Sequence, residues 1–512
     1  MKYLFFCPTF FCQFGCNSPF SVTSVSSCSI EFRNEPAFIT LPAPPLRLCA
    51  FAPLREISAA EATKPNIVFI LADDFGFGDL ACYGHPYAKT PNIDSLASEG
   101  TRFTQAYSTG VTCCPARTGL MTSKFPATYH VYPANGGFGD RITITDLLHQ
   151  AGYHTGHFGK WHIGPDEKNG TYGIDSVNVD NDEKLAARRN ATRGRDAHIF
   201  DGAISFIKQN KDAPFYVNVW CHISHHPVNP SQATLDRFGP LKLDETKCPA
   251  PLREKFALVK QLGGDVNDHF RRYLADVYSM DEDIGRLLKR IDDLGLKDNT
   301  IVVFSADQGA APLRPPVEGA EKNKKGKKAK AAPTKANAGN DTLDIRLNAL
   351  GSSGDLRGGK HGMFEGGVRV PFIVRWPGHT PAGRTDNQSV TSFIDWLPTL
   401  CKITGIKSPT DIDGEDVSEA WLGKTHVHTK PLLWKTSTPN SDLAIRDGQW
   451  KLFDPNRRRG GDLELYDVVA DPTESKNLAA SKPDLVKSLS TKLQAWNKTL
   501  PTDYIKTNDR QE

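Results

Sequence analysis

The most regular feature of the sequence is a set of short apolar runs separated by helical patterns. Four such runs cover residues 67–71, 215–220, 301–304 and 370–374. Runs without polar alternation are typical of strands buried on both faces, as in parallel sheets. Between two of them, apolar residues repeat at helical spacing from Phe270 to Ile291, and Gly295 marks the helix end. The pattern predicts an α/β fold around a large, mixed and mainly parallel sheet flanked by helices.

Two segments depart from this alternation. Residues 312–345 combine lysine with alanine and proline and have almost nothing to bury, which predicts a disordered surface insertion; a polyanion-binding segment is the alternative. Residues 431–512 contain short strand patterns and a helical pattern near residues 485–496. The predicted strands cover residues 444–446, 450–453 and 464–466. They predict a smaller C-terminal α+β subdomain with an antiparallel sheet, after a main domain over residues 63–430.

Composition and charge exclude two classes of protein. Lys and Arg total 62 against 59 Asp and Glu, so the 512 residues carry a formal net charge of +3. This balance argues against a dedicated nucleic-acid binder. No apolar stretch approaches the roughly 20 residues that cross a bilayer, so we expect no integral membrane span. Of the 11 cysteines, those that follow the first 62 residues are too sparse to cross-link the fold.

The first 62 residues resemble an atypical leader. A short apolar start at Tyr3–Cys7 is followed much later by Ala60-Glu61-Ala62, a small-residue pattern of the kind that signal peptidases cut. We therefore expect residues 1–62 to be removed or disordered and the protein to be secreted or periplasmic. The alternative is an unstructured or mis-started N terminus.

Carboxylates follow two of the predicted strands. Asp73-Asp74 comes directly after the first strand, and Asp307-Gln308 follows the strand at residues 301–304. Open α/β sheets bind ligands at the carboxyl ends of their strands, so these side chains are expected to converge. Three carboxylates and an amide oxygen suit a hard divalent cation better than zinc. An Asp-Asp pair that only begins a loop or caps a helix is the alternative.

A third element is Cys113-Cys114-Pro115-Ala116-Arg117. By itself it describes a proline-stiffened turn whose arginine pairs with a carboxylate. The spacing Cys-x-Pro-x-Arg, however, resembles the signature with which formylglycine-dependent (type I) sulfatases mark the cysteine that is converted to formylglycine. Cys113 matches that position. The resemblance is to arylsulfatase-like members of the alkaline-phosphatase-like superfamily.

Further motifs extend the resemblance over roughly residues 65–480. They occur in the family's order at residues 65–80, 90–97, 159–164 (Gly-Lys-Trp-His-Ile-Gly), 225–227 (His-His-Pro) and 359–371. The resemblance implies that residues 63–430 form a sulfatase catalytic domain. It also implies one calcium ion held beside the modified Cys113 by Asp73, Asp74, Asp307 and Gln308.

The resemblance also implies the catalytic roles. Arg117 would steady the formylglycine, Lys160 and Lys360 would contact the sulfate, His162 would bond to the formylglycine hydroxyls, and His225 would face the leaving group. One hydroxyl of the aldehyde hydrate attacks sulfur with Asp307 as proton acceptor, and His225 or Lys360 protonates the leaving alcohol. His162 then takes the proton of the second hydroxyl, and sulfate leaves.

Several of these residues have a plainer interpretation when they are taken singly. Lys160 could be a cation against Trp161, and His162 could be a satisfied interior histidine. The other nearby histidines are expected to be structural or to lie at the substrate rim; they are His154, His157, His222 and His226.

Gln308 departs from the family pattern, in which most relatives carry Asn. The extra methylene displaces the amide oxygen by roughly 1.5 Å, whereas calcium ligands lie at about 2.3–2.6 Å, so altered metal binding is an open alternative. The lysine-rich insertion also lengthens the interval before Lys360.

The sequence therefore predicts a hydrolase of sulfate esters, in particular those of carbohydrates, that is matured by a formylglycine-generating enzyme. Two alternatives stay open: a phosphonate or phosphate ester hydrolase of the same superfamily, and an unmodified binder of sulfated glycans. Neither the sugar nor the sulfate position can be read from the chain, because specificity resides in loops without a legible pattern.

Overall fold

The computed structural model of the chain describes residues 64–132, 136–164, 168–179, 192–313, 343–436, 442–455 and 461–506. The predicted leader, residues 1–62, lies outside the described residues, as do residues 314–342 of the predicted lysine-rich insertion. At the two ends of that insertion, Leu313 is buried in the core and a short helix begins at Leu343.

The described part of the chain alternates strands and helices. The strands are β1 Asn66–Ala72, β2 Thr101–Tyr107, β3 Val131–Tyr132, β4 His154–Gly159, β5 Ser176–Val179, β6 Phe215–Trp220, β7 Thr300–Ala306, β8 Arg369–Arg375, β9 Arg384–Asp386, β10 Thr391–Ser392, β11 Leu432–Lys435, β12 Leu443–Asp447, β13 Trp450–Asp454, β14 Glu464–Asp467 and β15 Ile505–Lys506. The α-helices are α1 Pro91–Ser98, α2 Cys113–Thr122, α3 Ile144–Gln150, α4 Ala197–Gln209, α5 Gln232–Phe238, α6 Ala250–Gln261, α7 Val266–Asp293, α8 Leu343–Arg346, α9 Glu365–Val368, α10 Trp396–Thr404, α11 Ser418–Trp421 and α12 Pro483–Asn497.

The large sheet is mixed and mainly parallel, as predicted. Its nine strands follow the order β10-β2-β8-β7-β1-β6-β4-β5, with β9 also paired to β2. Strand β1 runs parallel to both β6 and β7, whereas β8 is antiparallel to β2 and β7. The four apolar runs seen in the sequence are β1, β6, β7 and β8, which are neighbours at the centre of the sheet.

Burial explains why these four strands could be predicted from the sequence. Every residue of β1, β6, β7 and β8 is buried, so each run needs apolar side chains on both faces. The predicted amphipathic helix is the 28-residue α7. The Asp265 side chain begins α7 by accepting hydrogen bonds from the backbone N–H groups of Asn267 and Asp268.

A separate antiparallel sheet of four strands, β11-β12-β13-β14, forms the C-terminal part of the structure. Its apolar core includes Trp434, Leu452 and Leu489 of α12, together with Tyr107 and Phe125 from the first half of the chain. The sheet begins one strand earlier than the sequence pattern indicated, at Leu432. The exact domain boundary at residues 430/431 stays a prediction. Within the described residues, we find no helix with the length and apolar character needed to cross a bilayer.

Candidate active site

Two adjacent parallel strands bring the predicted carboxylates together. Ala72 of β1 pairs with Ala306 of β7, so both strands end at the same edge of the sheet. The backbone N–H of Asp307 donates to the Ala72 carbonyl at 3.0 Å, and the Asp74 N–H donates to Asp307 Oδ1 at 3.1 Å. Asp74 adopts a left-handed backbone with φ of 56°. That conformation turns the chain sharply at the end of β1.

Cys113 is the first residue of α2 and is fully buried. Pro115 lies in the first turn, where its missing N–H leaves no hydrogen bond unmade. The Cys113 Sγ lies 3.0 Å from Asp73 Oδ1, 3.7 Å from Asp74 Oδ1 and 3.5 Å from Gln308 Nε2. The N-terminal end of a helix favours negative charge, so this placement suits a site that binds or develops an anion.

Arg117 lies one helical turn after Cys113 in α2 and binds two other parts of the site. Its Nε and Nη2 donate to Asp307 Oδ2 at 3.1 and 2.8 Å, and its Nη1 donates to the Lys160 carbonyl at 2.8 Å. The guanidinium also faces the Trp220 ring at 5.1 Å. These bonds to both the Asp307 carboxylate and the Lys160 backbone fix the two relative to each other.

Two lysines flank the thiol. Lys160, directly after β4, places its Nζ 2.6 Å from Asp73 Oδ2 and 3.5 Å from Cys113 Sγ. Lys360 places its Nζ 3.0 Å from Asp74 Oδ1 and 3.8 Å from Cys113 Sγ. The two side chains are only 13% and 5% exposed, so both ammonium groups act in a weakly screened environment.

Two histidines complete the predicted set. His225 Nε2 lies 3.7 Å from Asp74 Oδ2, and its Nδ1 lies 2.6 Å from the His226 carbonyl oxygen. His162 has a left-handed backbone with φ of 57°, and its buried Nδ1 has no hydrogen-bond partner. His162 follows Lys160 by two residues, directly after β4. The plainer role expected of His157 agrees with its position between the Trp161 and Trp220 rings, at 4.9 and 4.7 Å.

The carboxylates differ in their ionisation. Burial opposes the charge of Asp73, but Lys160 and other nearby cations outweigh it and hold the pKa of Asp73 well below its usual value. The pKa of Asp74 is also lowered, because Lys360 and His225 outweigh burial. Burial and the charge of Asp73 instead raise the pKa of Asp307 to about 7. In the metal-free site, one of the three carboxylates therefore gains a proton near neutral pH.

The thiol and the histidines are held uncharged. Burial and the carboxylates of Asp307 and Asp73 raise the pKa of Cys113 well above its ordinary value. A cysteine thiol whose pKa is raised in this way stays protonated at neutral pH and is a poor nucleophile. Burial, reinforced by Lys160, lowers the pKa of His225 to about 4 and that of His162 to about 2.

The donor set fits a hard divalent cation. Asp73, Asp74, Asp307 and Cys113 each offer one ligand atom, and these atoms lie within 4.8 Å of one another. The buried Gln308 Oε1 has no hydrogen-bond partner, whereas Nε2 of the same amide faces Asp74 Oδ1. A half-turn of the amide would bring its oxygen against the carboxylate, an arrangement that is stable only with a cation between them. Oxygen donors of this kind are those that calcium prefers.

The charges around the site also suit an anionic substrate. Asp73, Asp74 and Asp307 oppose three basic side chains, so the formal charges cancel before an ion binds when all three carboxylates are ionised. The three basic residues are Arg117, Lys160 and Lys360. A divalent ion would leave an excess of positive charge, which the single negative charge of a bound sulfate ester would offset in part.

The structure thus brings the predicted carboxylates, Gln308 and both lysines to Cys113 and places His225 beside Asp74, and it adds residues that the sequence did not reveal. The Tyr273 hydroxyl donates a hydrogen bond to Asp79 Oδ2 at 2.7 Å, and its oxygen lies 3.0 Å from Ser224 Oγ. The Ser224 hydroxyl in turn donates to the Asp74 carbonyl at 3.3 Å. Asp79 lies within the motif at residues 65–80 and Ser224 directly precedes His225, so both are in or next to motifs identified in the sequence. Tyr273 of α7 lies in no motif, so nothing in the sequence indicated its position.

Family models match most of the chain. Residues 65–406 match the model described as "Sulfatase". Residues 359–499 match the model described as "N-sulphoglucosamine sulphohydrolase, C-terminal". The first match contains all ten predicted site residues, and the second spans the C-terminal sheet.

Curated relatives agree with this assignment. An N-acetylgalactosamine-6-O-sulfatase of Bacteroides thetaiotaomicron is 27% identical, over 84% of this chain and 93% of the relative. Human arylsulfatase A is 28% identical, over 84% of this chain and 87% of the relative.

Solved structures show the same fold. The crystal structure of Ps i-CgsB superposes with a TM-score of 0.67 at 23% identity, covering 87% of this chain and 95% of that one. The phosphonate monoester hydrolase of Agrobacterium radiobacter superposes with a TM-score of 0.61 at 20% identity, covering 85% and 96%. At these identities the likeness concerns the fold alone. With the family match over most of its length, the chain belongs to the type I sulfatase family of the alkaline-phosphatase-like superfamily and is a sulfuric ester hydrolase.

Proposed function

We propose that this sulfatase hydrolyses sulfate esters of carbohydrates with a formylglycine made from Cys113 and with a calcium ion at the strand ends. The observation that carries the proposal is the convergence on one buried sulfur of two lysines and three carboxylates, of which Asp307 lies within 4.8 Å of the sulfur. The Cys113 Sγ lies between 3.0 and 3.8 Å from Asp73, Asp74, Lys160 and Lys360.

The residues present would hold both groups. Asp73, Asp74, Asp307 and Gln308 would ligate calcium, which supplies positive charge against the sulfuryl oxygens when bound. A formylglycine hydrate at position 113 supplies an oxygen nucleophile that an ordinary cysteine lacks. Because Cys113 is fully buried in the folded chain, we expect the formylglycine-generating enzyme to act before α2 packs into the core.

The residues around the nucleophile have distinct tasks. Asp307 accepts the proton of the attacking group, since burial places its pKa at about 7 and a calcium ion would lower that value. Arg117 keeps this carboxylate oriented through its two hydrogen bonds to Oδ2. Lys160 and Lys360 balance the negative charge on the transferring sulfuryl group in a site with little solvent screening.

The two histidines act as neutral groups. With Nδ1 donating to the His226 carbonyl, His225 presents Nε2 as an acceptor beside Asp74, and its lowered pKa of about 4 keeps it uncharged at neutral pH. His225 therefore orients the leaving alcohol, and Lys360 is the proton donor to the leaving oxygen. His162 is also neutral, because burial and Lys160 lower its pKa; it takes the proton of the second hydroxyl once the negative charge of the sulfuryl group offsets that of Lys160.

The substrate class follows from the relatives. The curated N-acetylgalactosamine-6-O-sulfatase covers most of this chain, so sulfated carbohydrates, with a 6-sulfated N-acetylhexosamine first, are the substrates to test. We also propose export of the protein to the periplasm or the exterior, on the basis of the leader-like first 62 residues. An extracellular glycan substrate would be met there.

The decisive assay compares matched aryl sulfate and aryl phosphonate esters, followed by a panel of defined sulfated sugars. We expect faster sulfate release, lost by more than about 10³-fold in Cys113→Ala. Cys114→Ala is the matched control, because it removes the adjacent buried thiol and should retain activity. Faster phosphonate cleavage by the wild-type enzyme would overturn the proposal in favour of a phosphonate hydrolase. An inactive wild type that binds sulfated sugars would overturn it in favour of a glycan-binding protein.

A further inference from the structure

The loop over residues 221–228 carries His225 from the end of β6 into the site. One side of this loop is hydrogen-bonded to the end of β1. The Cys221 N–H donates to the Leu71 carbonyl at 2.8 Å, and the Asp73 N–H donates to the Ile223 carbonyl at 2.9 Å. The position of the loop therefore affects both His225 and the carboxylate of Asp73.

The other side of the loop is held by Arg195, which lies just before α4. Its Nη2 donates to the carbonyls of His222 and His225 at 3.2 and 2.9 Å, and its Nη1 donates to the Pro227 carbonyl at 3.1 Å. The same Nη2 lies 2.9 Å from Asp276 Oδ2 of α7. The Arg195 side chain is 3% exposed, so these bonds are made away from competing water.

Asp196 acts on the same loop with the opposite charge. Its Oδ2 accepts hydrogen bonds from the backbone N–H groups of His222 and Ile223 at 2.8 and 2.9 Å. Two consecutive residues thus bind both the carbonyls and the amides of one loop. A planar guanidinium that spans three carbonyls fixes their directions as well as their distances.

From these contacts we propose that Arg195 is a positioning residue of the active site, which holds the 221–228 loop so that His225 faces Asp74. The role rests on the proposed function, since it matters for catalysis only if His225 orients the leaving group. Arg195 acts through the backbone of His225: the His225 carbonyl is bound directly, and the His225 ring is bonded to the next carbonyl along the chain. A change in the guanidinium would shift the ring without removing any group from the site.

The first test is independent of activity. Arg195→Lys keeps a positive charge beside Asp276 but loses the planar fork, and Arg195→Met removes both. Arg193→Ala is the matched control, because Arg193 is 51% exposed and its salt bridge is to Asp201 of α4. We expect hydrogen exchange to accelerate at least about tenfold in residues 221–228 of Arg195→Lys, while exchange in β1 stays at the wild-type rate. If Arg195→Met does not fold, Arg195→Lys alone carries the test.

The second test is kinetic. Displacement of a catalytic group by about 1 Å lowers turnover by roughly 100-fold, so we expect that loss in kcat for Arg195→Lys with KM changed less than about threefold. In a His225→Gln background, the same substitution should change kcat less than about threefold, because its effect runs through His225. Independent, multiplicative losses would overturn the proposal, as would unchanged exchange in the loop. If the wild type released no sulfate, the proposed function would fall, whereas accelerated exchange confined to the loop would still support the positioning role.

Discussion

The departure of Gln308 from the family pattern gives the sharpest test of the metal site. The Gln308 side chain is fully buried, its Oε1 has no hydrogen-bond partner, and its Nε2 lies 3.5 Å from Cys113 Sγ. Gln308→Asn retracts the amide by one bond, roughly 1.5 Å, which exceeds the variation that a calcium–oxygen contact tolerates. We expect the calcium Kd to rise by about 10- to 100-fold, or about 1.4–2.7 kcal/mol. The vacated methylene should destabilise the metal-free protein by only about 1 kcal/mol.

Calorimetric titration of the metal-free enzyme with calcium measures this difference directly. Gln105→Asn is the matched control: Gln105 is also a buried amide, but it is bonded to Asn387 and Arg446 outside the site. The control should lose at least as much stability, because the Gln105 amide is bonded at both ends, and should keep the wild-type calcium Kd. A Kd for Gln308→Asn equal to or below that of the wild type would refute the reasoning. It would mean that the backbone of this chain already suits an asparagine ligand.

Three further predictions concern the charged groups. Lys160→Met removes the cation that lies 2.6 Å from Asp73 Oδ2. We therefore expect kcat to fall by about 10²- to 10³-fold and inhibition by inorganic sulfate to weaken. Near-wild-type turnover would contradict the role assigned to Lys160. Burial raises the pKa of Asp307 to about 7, so a proton competes with calcium for this carboxylate below that pH. Calcium affinity should therefore rise as the pH increases to about 7 and then level off. A pH-independent calcium Kd, measured by calorimetry, would count against Asp307 as a ligand. Chelation of calcium should lower the melting temperature and activity together. Readdition to 100 times the Kd should restore about 2.7 kcal/mol of stability, whereas identical melting curves with and without chelator would show that no ion is held.

Strands at the centre of the large sheet were predictable because burial on both faces demands apolar side chains. Strand β2, with the sequence Thr-Arg-Phe-Thr-Gln-Ala-Tyr, was missed because two of its outward positions are only partly buried and carry Arg102 and Thr104. Strand β4 contains two histidines and two glycines, yet five of its six residues are buried. Its His157 is accommodated between the ring of Trp161, four residues later, and the ring of Trp220, which comes from the distant strand β6. Such tertiary contacts leave no local periodicity.

The site residues likewise divide into those that the sequence predicted and those that it did not. Asp73 and Asp307 were predictable from physical principles, because strand ends in a parallel sheet meet at one edge. Cys113, Lys160 and Lys360 were found through motifs, since nothing in the local pattern indicates that they converge. Arg195 escaped both approaches: it binds backbone carbonyls, which every residue has, so its partners carry no sequence signal.

The central claim is that position 113 is a formylglycine in the active enzyme. The mass of the peptide that contains Cys113, taken from protein made in its native host and assayed for sulfate release, tests this claim most directly. Oxidation of a thiol to the aldehyde, with loss of H₂S and gain of oxygen, predicts a deficit of about 18 Da. A fully active preparation in which that peptide keeps the mass of an unmodified cysteine would contradict the account.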